Sequence, residues 1–199
     1  MKQSAKKIYN VSCNWYSEQP DASGKNENSW EGKILVFDDN ACIGYATDNG
    51  HETPTHLLAG TYVEGKGLSI FKVHGTNTRY DPIIFDAFVN DNGEKGRYYG
   101  QYLASTPFNL YPLGYATLAT SEIEKTEKQN NAIQAIYDEM AEKITSEKDS
   151  FNAYTVAFVS VMDIDDMSRK ITSIANLVRK DALPEIFKNK AGSQPGSDN

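Results

Sequence analysis

The chain has 199 residues, of which 39% are hydrophobic and 24% are charged, a composition ordinary for one globular domain. Its formal net charge of -7 argues against nucleic acid as a partner, because the 20 basic residues are scattered among 27 acidic ones instead of forming a cluster. No apolar run approaches the roughly 20 residues that a membrane helix needs, so we expect no membrane partner.

The first residues of the chain contain lysines but lack the apolar stretch of a secretory signal, and we therefore expect a cytoplasmic location. The two cysteines are consistent with that compartment. Cys13 and Cys42 each lie in an apolar β-like run, where a buried, reduced thiol that packs as a small hydrophobic group is the expected role.

Short β-rich runs separated by turn residues fill the chain from Lys6 to about Thr117. No helical pattern interrupts them, which is typical of an antiparallel sheet. Gly65 and Gly67 separate two of these runs and predict a tight hairpin flanked by Tyr62 and Leu68, because no Lys-Ser/Thr pair follows Gly67 as a phosphate-binding loop requires. The eight predicted strands are Ile8 to Tyr16, Lys33 to Asp38, Ala41 to Thr47, His56 to Val63, Leu68 to Val73, Ile83 to Val89, Arg97 to Ala104 and Leu110 to Leu118.

The C-terminal third has a different pattern. Apolar residues recur every three or four positions from Ser121 to Glu147 and predict a helix with Ser121 as its N-cap. Phe151 to Met162 is short, β-branched and aromatic, which predicts a buried strand, with a helix as the lesser possibility. A second helix is predicted from Asp163 onward.

The predicted fold is therefore mainly β, a β-barrel or strongly curved antiparallel sheet of about eight strands, with two C-terminal helices. The alternative is an α+β domain in which helices cover one face of an open sheet. We expect a single domain over residues 1–190, with the β part at about 6–118 and the helix-strand-helix part at about 121–190. Residues 191–199 are expected to form a disordered tail.

The predicted order of eight strands, a helix and a further strand resembles the layout of the calycins and lipocalins. In the first predicted strand, Cys13-Asn14-Trp15-Tyr16 is similar to the Gly-x-Trp-Tyr start of lipocalins, with Cys13 at the position of the glycine. No other lipocalin signature follows. The resemblance therefore concerns the layout of the fold.

Local motifs for catalysis and metal binding are missing from the sequence. There is no Gly-x-Ser-x-Gly elbow, and neither cysteine lies in a Cys-x-x-Cys motif. His51 and His56 stand five residues apart with Pro54 between them, which does not fit the helical zinc motif. We expect no catalytic residue, no metal site and no cofactor, and prefer a protein that is not an enzyme.

The candidate binding residues come from the tyrosines, most of which fall in the β part. In the run Arg97-Tyr98-Tyr99-Gly100-Gln101-Tyr102, the strand period places Arg97, Tyr99 and Gln101 on one face. A guanidinium, an amphipathic ring and an amide together suit an orienting ligand site. We expect these three residues to line the concave side of the sheet and contact a ligand.

Three functional hypotheses follow. The first is a non-enzymatic module that binds a small molecule or a protein partner through a Tyr-rich sheet surface or cavity. The second is a hydrolase-type enzyme with Asp, Glu and His side chains contributed by separate loops. The third is an acidic inhibitor or structural subunit that assembles through its helices, and a homo-oligomer is a possible state.

Overall fold

The computed structural model describes residues 4–17, 24, 26–76, 82–89, 94–105 and 110–160. Eight antiparallel strands form a closed barrel in which each strand pairs with the next one and the last pairs with the first. The prediction of a mainly β barrel is confirmed, and the open-sheet alternative is wrong. The strands are β1 (Lys7–Ser17), β2 (Glu27–Val36), β3 (Ala41–Asp48), β4 (His56–Val63), β5 (Gly67–His74), β6 (Ile83–Val89), β7 (Arg97–Ser105) and β8 (Leu110–Ile123).

The predicted hairpin between β4 and β5 is confirmed. Tyr62 lies opposite Leu68, and Val63 lies opposite Gly67. Gly65 has a φ of 71°, a left-handed conformation that a glycine adopts without a steric penalty. The stretch is therefore a turn, and its length sets which residues of β4 and β5 lie opposite each other.

Successive side chains along each strand point to opposite faces of the wall, and the barrel therefore has two separate hydrophobic cores. Side chains that point inward fill the barrel with aromatic and aliphatic groups such as Trp30, Phe85 and Tyr98. Side chains that point outward on one part of the wall, such as Leu57 and Phe71, form a second core beneath the C-terminal helices. The inward and outward positions of one strand are thus both apolar where the helices cover the wall.

Two helices cover that part of the wall. Helix α1 (Glu127–Ser146) packs across β2, β3 and β4, and helix α2 (Ala153–Ser160) follows a short 3-10 turn and packs against α1. The ring of Phe158 lies 4.7 Å from that of Phe71, measured between centroids, which attaches α2 to β5. The helices bury an outer face of the barrel that would otherwise expose a large apolar surface.

Several predicted boundaries were wrong. Helix α1 begins six residues after Ser121, with Thr126 as its N-cap, because Ser121 and its neighbours extend β8 in its pairing with β1. The capping box of Thr126 and Gln129 explains this start. The segment from Phe151, predicted as a strand, forms helix α2 instead. The predicted helix from Asp163 and the predicted tail at 191–199 lie outside the described residues.

Candidate functional site

A polar cluster lies inside one end of the barrel. Lys72 points inward from β5, is only 6% exposed and forms an ion pair with Asp48 at the end of β3. The second Asp48 oxygen lies 3.4 Å from Nδ1 of His56, and the His56 and His74 rings are 4.3 Å apart between centroids. His56 is buried, and the partly buried His74 lies beside it on β5.

Burial sets the proton affinity of these groups. Desolvation lowers the pKa of Lys72, and the Asp48 carboxylate opposes that shift. Desolvation also lowers the pKa of both His56 and His74, and in each case the charge on Lys72 adds to the effect. Both pKa shifts favour the neutral imidazole, and the Asp48–Lys72 ion pair lies beside the two rings.

The polar cluster is largely satisfied from within. Thr55 Oγ1 lies 2.8 Å from His56 Nδ1, and it accepts a hydrogen bond from the backbone N–H of Asp48. The Lys72 ammonium group lies 5.7 Å from the centroid of the Trp30 ring, within the range of a cation–π contact. This arrangement compensates the burial of Lys72 and gives the cluster a structural role at this end of the barrel.

Hydroxyl groups occupy the opposite end of the barrel. The Tyr62 hydroxyl lies 3.0 Å from that of Tyr98 and 2.9 Å from Thr120 Oγ1. The Tyr9 hydroxyl donates to Glu64, which also pairs with Lys7. A small pocket of about 230 Å³ opens beside this network. The hydroxyl groups of these three inward-facing tyrosines thus bond to one another or to nearby side chains.

The structure places Arg97, Tyr99 and Gln101 together on one face, as the strand period predicts, but that face is the outside of the barrel. Tyr98 and Tyr102, their neighbours along β7, belong to the interior core. Arg97 forms an ion pair of 2.7 Å with Glu94, and Tyr99 is 40% exposed. The expected placement on a concave inner side is wrong, and a role of these residues in binding stays a prediction.

Gly100, which lies between them, does not leave room for a ligand. A Cβ atom at this position would lie 1.9 Å from the backbone oxygen of Asp86 on β6. The glycine is therefore required by the close approach of two strands in the curved wall.

The outer wall carries a row of half-exposed aromatic rings, which we call the aromatic row: Phe88, Tyr99, Tyr115 and Tyr16, on β6, β7, β8 and β1. Phe88 lies directly opposite Tyr99 across the strand pair, and Tyr115 lies opposite both Gln101 and Tyr16. Each ring is between 40% and 52% exposed. Four adjacent strands therefore present large rings to the same outer surface.

A groove of about 910 Å³, which we call the asparagine groove, adjoins the aromatic row. It is lined by Asn14, Trp15, Tyr16, Asn26, Glu27, Asn28, Ser29, Asn49, Tyr115, Ala116 and Thr117. A second outer groove of about 630 Å³ lies nearer the N-terminal end of β1 and contains the charged residues Glu31 and Lys33. The asparagine groove differs from it in combining exposed rings with amides.

Sequence reasoning missed most of these residues. Asn26 and Asn28 belong to a stretch that the predicted strands left out, since β2 begins at Glu27 and not at Lys33. The polar cluster could have been predicted in part from the sequence, because Lys72 shares one face of its strand with the apolar residues Leu68 and Ile70. A lysine at an inward position of an apolar strand requires a buried partner.

The described part of the chain was compared with the requirements of metal sites and of membrane-spanning helices only through its residues 4–17, 24, 26–76, 82–89, 94–105 and 110–160. Among those residues, no group of three or more His, Cys, Asp or Glu side chains is arranged to hold a metal ion. No helix within the same ranges has the length and apolar character needed to cross a membrane. Both cysteines are buried and unpaired, as expected.

The sequence matches no protein-family model and no curated protein. The functional conclusion therefore depends on the geometry of the barrel alone.

Proposed function

We propose that this protein is a non-enzymatic module that binds a small molecule through the Tyr-rich outer wall of its barrel. The observation that carries the proposal is the aromatic row, in which four half-exposed rings on adjacent strands share one surface. Exposed aromatic groups of this size are uncommon on a surface without a binding role, and tyrosine is enriched in binding sites.

The shape of the wall favours a small molecule over a protein partner. The asparagine groove adjoins Tyr16 and Tyr115, and its volume of about 910 Å³ falls in the range of small-molecule sites. Rigid strands position the lining side chains, so little conformational freedom is lost when a ligand binds. In this proposal Arg97, Tyr99 and Gln101 form the β7 side of the binding surface.

A thermal-shift screen of a soluble metabolite library tests the proposal. At a concentration of 100 times its Kd, a ligand stabilises the folded state by about 2.7 kcal/mol, which corresponds to a rise in Tm of roughly 5 to 10 °C for a chain of this size. We expect at least one compound to produce such a rise with the wild-type protein.

Ring variants then locate the site. Tyr99→Ala with Tyr115→Ala should abolish the shift, while Tyr99→Phe with Tyr115→Phe, which retains both rings, should preserve most of it. A library without any stabilising compound, or a shift that persists in the alanine variant, would contradict the proposal.

A further inference from the structure

The sequence contains two Asn-Gly pairs. Asparagine is one of the thermolabile residues, and its side-chain amide can react with the next backbone nitrogen when that residue has no side chain to shield the nitrogen. The pair Asn92-Gly93 lies outside the described residues. The pair Asn49-Gly50 directly follows β3, beside Asp48 of the polar cluster, and has a described conformation.

Asn49 and Gly50 are the two central residues of a tight turn. The backbone N–H of His51 donates to the backbone oxygen of Asp48 at 3.1 Å and closes the turn. Gly50 has a φ of 89°, and a positive φ at the third residue is the mark of a type II turn. The backbone N–H of Asn49 donates to the backbone oxygen of Ser29 at 2.9 Å, which attaches the turn to β2.

Both reacting groups of this pair are accessible. Asn49 and Gly50 are exposed, and apart from the neighbouring residues no described atom lies within 4 Å of the position at which a side chain on Gly50 would begin. Within the ranges that the structure describes, neither the Gly50 N–H nor the side-chain amide of Asn49 forms a hydrogen bond. No described hydrogen bond therefore has to break before the two groups approach each other.

Asparagines inside the strands differ in this respect. Asn10 and Asn14 lie in β1, which pairs with β2 on one side and with β8 on the other. The backbone N–H groups that follow them, those of Val11 and Trp15, belong to these ladders and point towards a neighbouring strand. Such a nitrogen cannot turn towards the preceding side chain without breaking a ladder hydrogen bond.

From this geometry we propose that Asn49 is a modification site, at which the side-chain amide is converted to a carboxylate with water as the co-reactant. The Gly50 nitrogen loses its proton to water or hydroxide and attacks Cγ of Asn49. The new C–N bond closes a succinimide ring, and the bond from Cγ to Nδ2 breaks and releases ammonia. Water then opens the ring, at Cγ to give aspartate or at the backbone carbonyl carbon to give isoaspartate. This inference does not depend on the proposed binding function.

The two products change the same end of the barrel in different ways. Each adds a carboxylate one residue from Asp48, which forms the ion pair with Lys72. Isoaspartate in addition inserts Cβ into the backbone between Asp48 and His51, so the hydrogen bond that closes the turn cannot keep its geometry. We therefore expect the purified isoaspartate form to have a lower Tm than the variant Asn49→Asp, which carries the same charge on a normal backbone.

Incubation of the full chain in mildly alkaline buffer, followed by tryptic mass mapping, tests the inference. Lys66 and Arg79 lie between Asn49 and Asn92, so trypsin places the two Asn-Gly pairs in different peptides. We expect conversion of Asn49 in the folded protein to proceed within about threefold of its rate in the chain unfolded by urea, because an exposed turn needs little local opening.

Gly50→Ala tests the role of the nitrogen. The added methyl group shields it, so conversion of Asn49 should fall roughly tenfold in the folded and in the unfolded chain alike. The matched control is Gly65→Ala, which places the same methyl group at another turn glycine of positive φ and leaves the Asn-Gly pair intact. This control should convert Asn49 at the wild-type rate.

Three outcomes would contradict the inference. A rate at Asn49 in the folded protein more than about tenfold below that of the unfolded chain would show that the turn holds the two groups apart. Equal rates in Gly50→Ala and wild type would exclude attack by the Gly50 nitrogen. Equal Tm values for the isoaspartate form and Asn49→Asp would show that the turn backbone does not stabilise this end of the barrel.

Discussion

Replacing Asp48 by alanine is expected to lower the free energy of unfolding by about 3 to 5 kcal/mol. Asp48 forms the ion pair with Lys72, whose side chain is only 6% exposed inside the barrel. Without the carboxylate, the ammonium group would remain buried in an apolar interior with no opposite charge, or would lose its proton. Either result destabilises the folded state.

Urea denaturation of the single variant and of a double variant measures this effect. Asp48→Leu combined with Lys72→Met removes both charges and should recover most of the stability, because a buried ion pair is often no more stabilising than apolar groups of similar volume. If Asp48→Ala unfolded at the wild-type urea concentration, Lys72 could not be a buried charge that depends on this pair.

Replacing Ile144 by alanine is expected to cost about 2 to 5 kcal/mol. Ile144 is completely buried in the core that helix α1 shares with the barrel wall. Truncation removes apolar burial and leaves a cavity between helix and strands, and both changes destabilise the folded protein.

Ile136→Ala is the matched control on the same helix. Ile136 is only half-buried, so its truncation should cost clearly less than that of Ile144. Equal urea midpoints for Ile144→Ala and wild type would show that helix α1 does not cover the barrel in solution.

The fold was predictable because turn residues and the two-residue repeat of apolar side chains in a strand are both visible within a few consecutive residues. The turn at Gly65 also fixes the register of β4 and β5, and this register places His56 directly opposite His74. That contact could have been derived from the sequence. The Asp48–Lys72 pair could not, since it joins β3 to β5 across the interior and depends on how the barrel closes.

The segment from Phe151 shows why the C-terminal prediction failed. Its residues are nearly all apolar, so neither the helical nor the strand period is visible, and β-branched residues favoured a strand. The observed helix α2 packs against α1, and its Phe158 and Val159 are buried in the core that the helices share with the barrel wall. Tertiary packing outweighed local propensity in this segment.

The candidate binding residues show a similar limit. The strand period correctly grouped Arg97 with Tyr99 and Gln101, but a single strand does not reveal which of its faces is inside the barrel. Both faces of β7 carry tyrosine, and the buried one is the face with Tyr98 and Tyr102. Closure of the sheet around those rings left the predicted residues on the outer wall.

In our proposal the ligand binds to the outer wall at the asparagine groove, and an NMR titration locates the binding site residue by residue. The protein is titrated with the most strongly stabilising compound from the thermal-shift library, and the backbone amide resonances are followed. We expect the largest chemical-shift changes at the backbone amides of Tyr16, Asn28 and Thr117, which line the groove. Largest changes at Tyr62 and Tyr98, or at Lys72 in the interior, would contradict it.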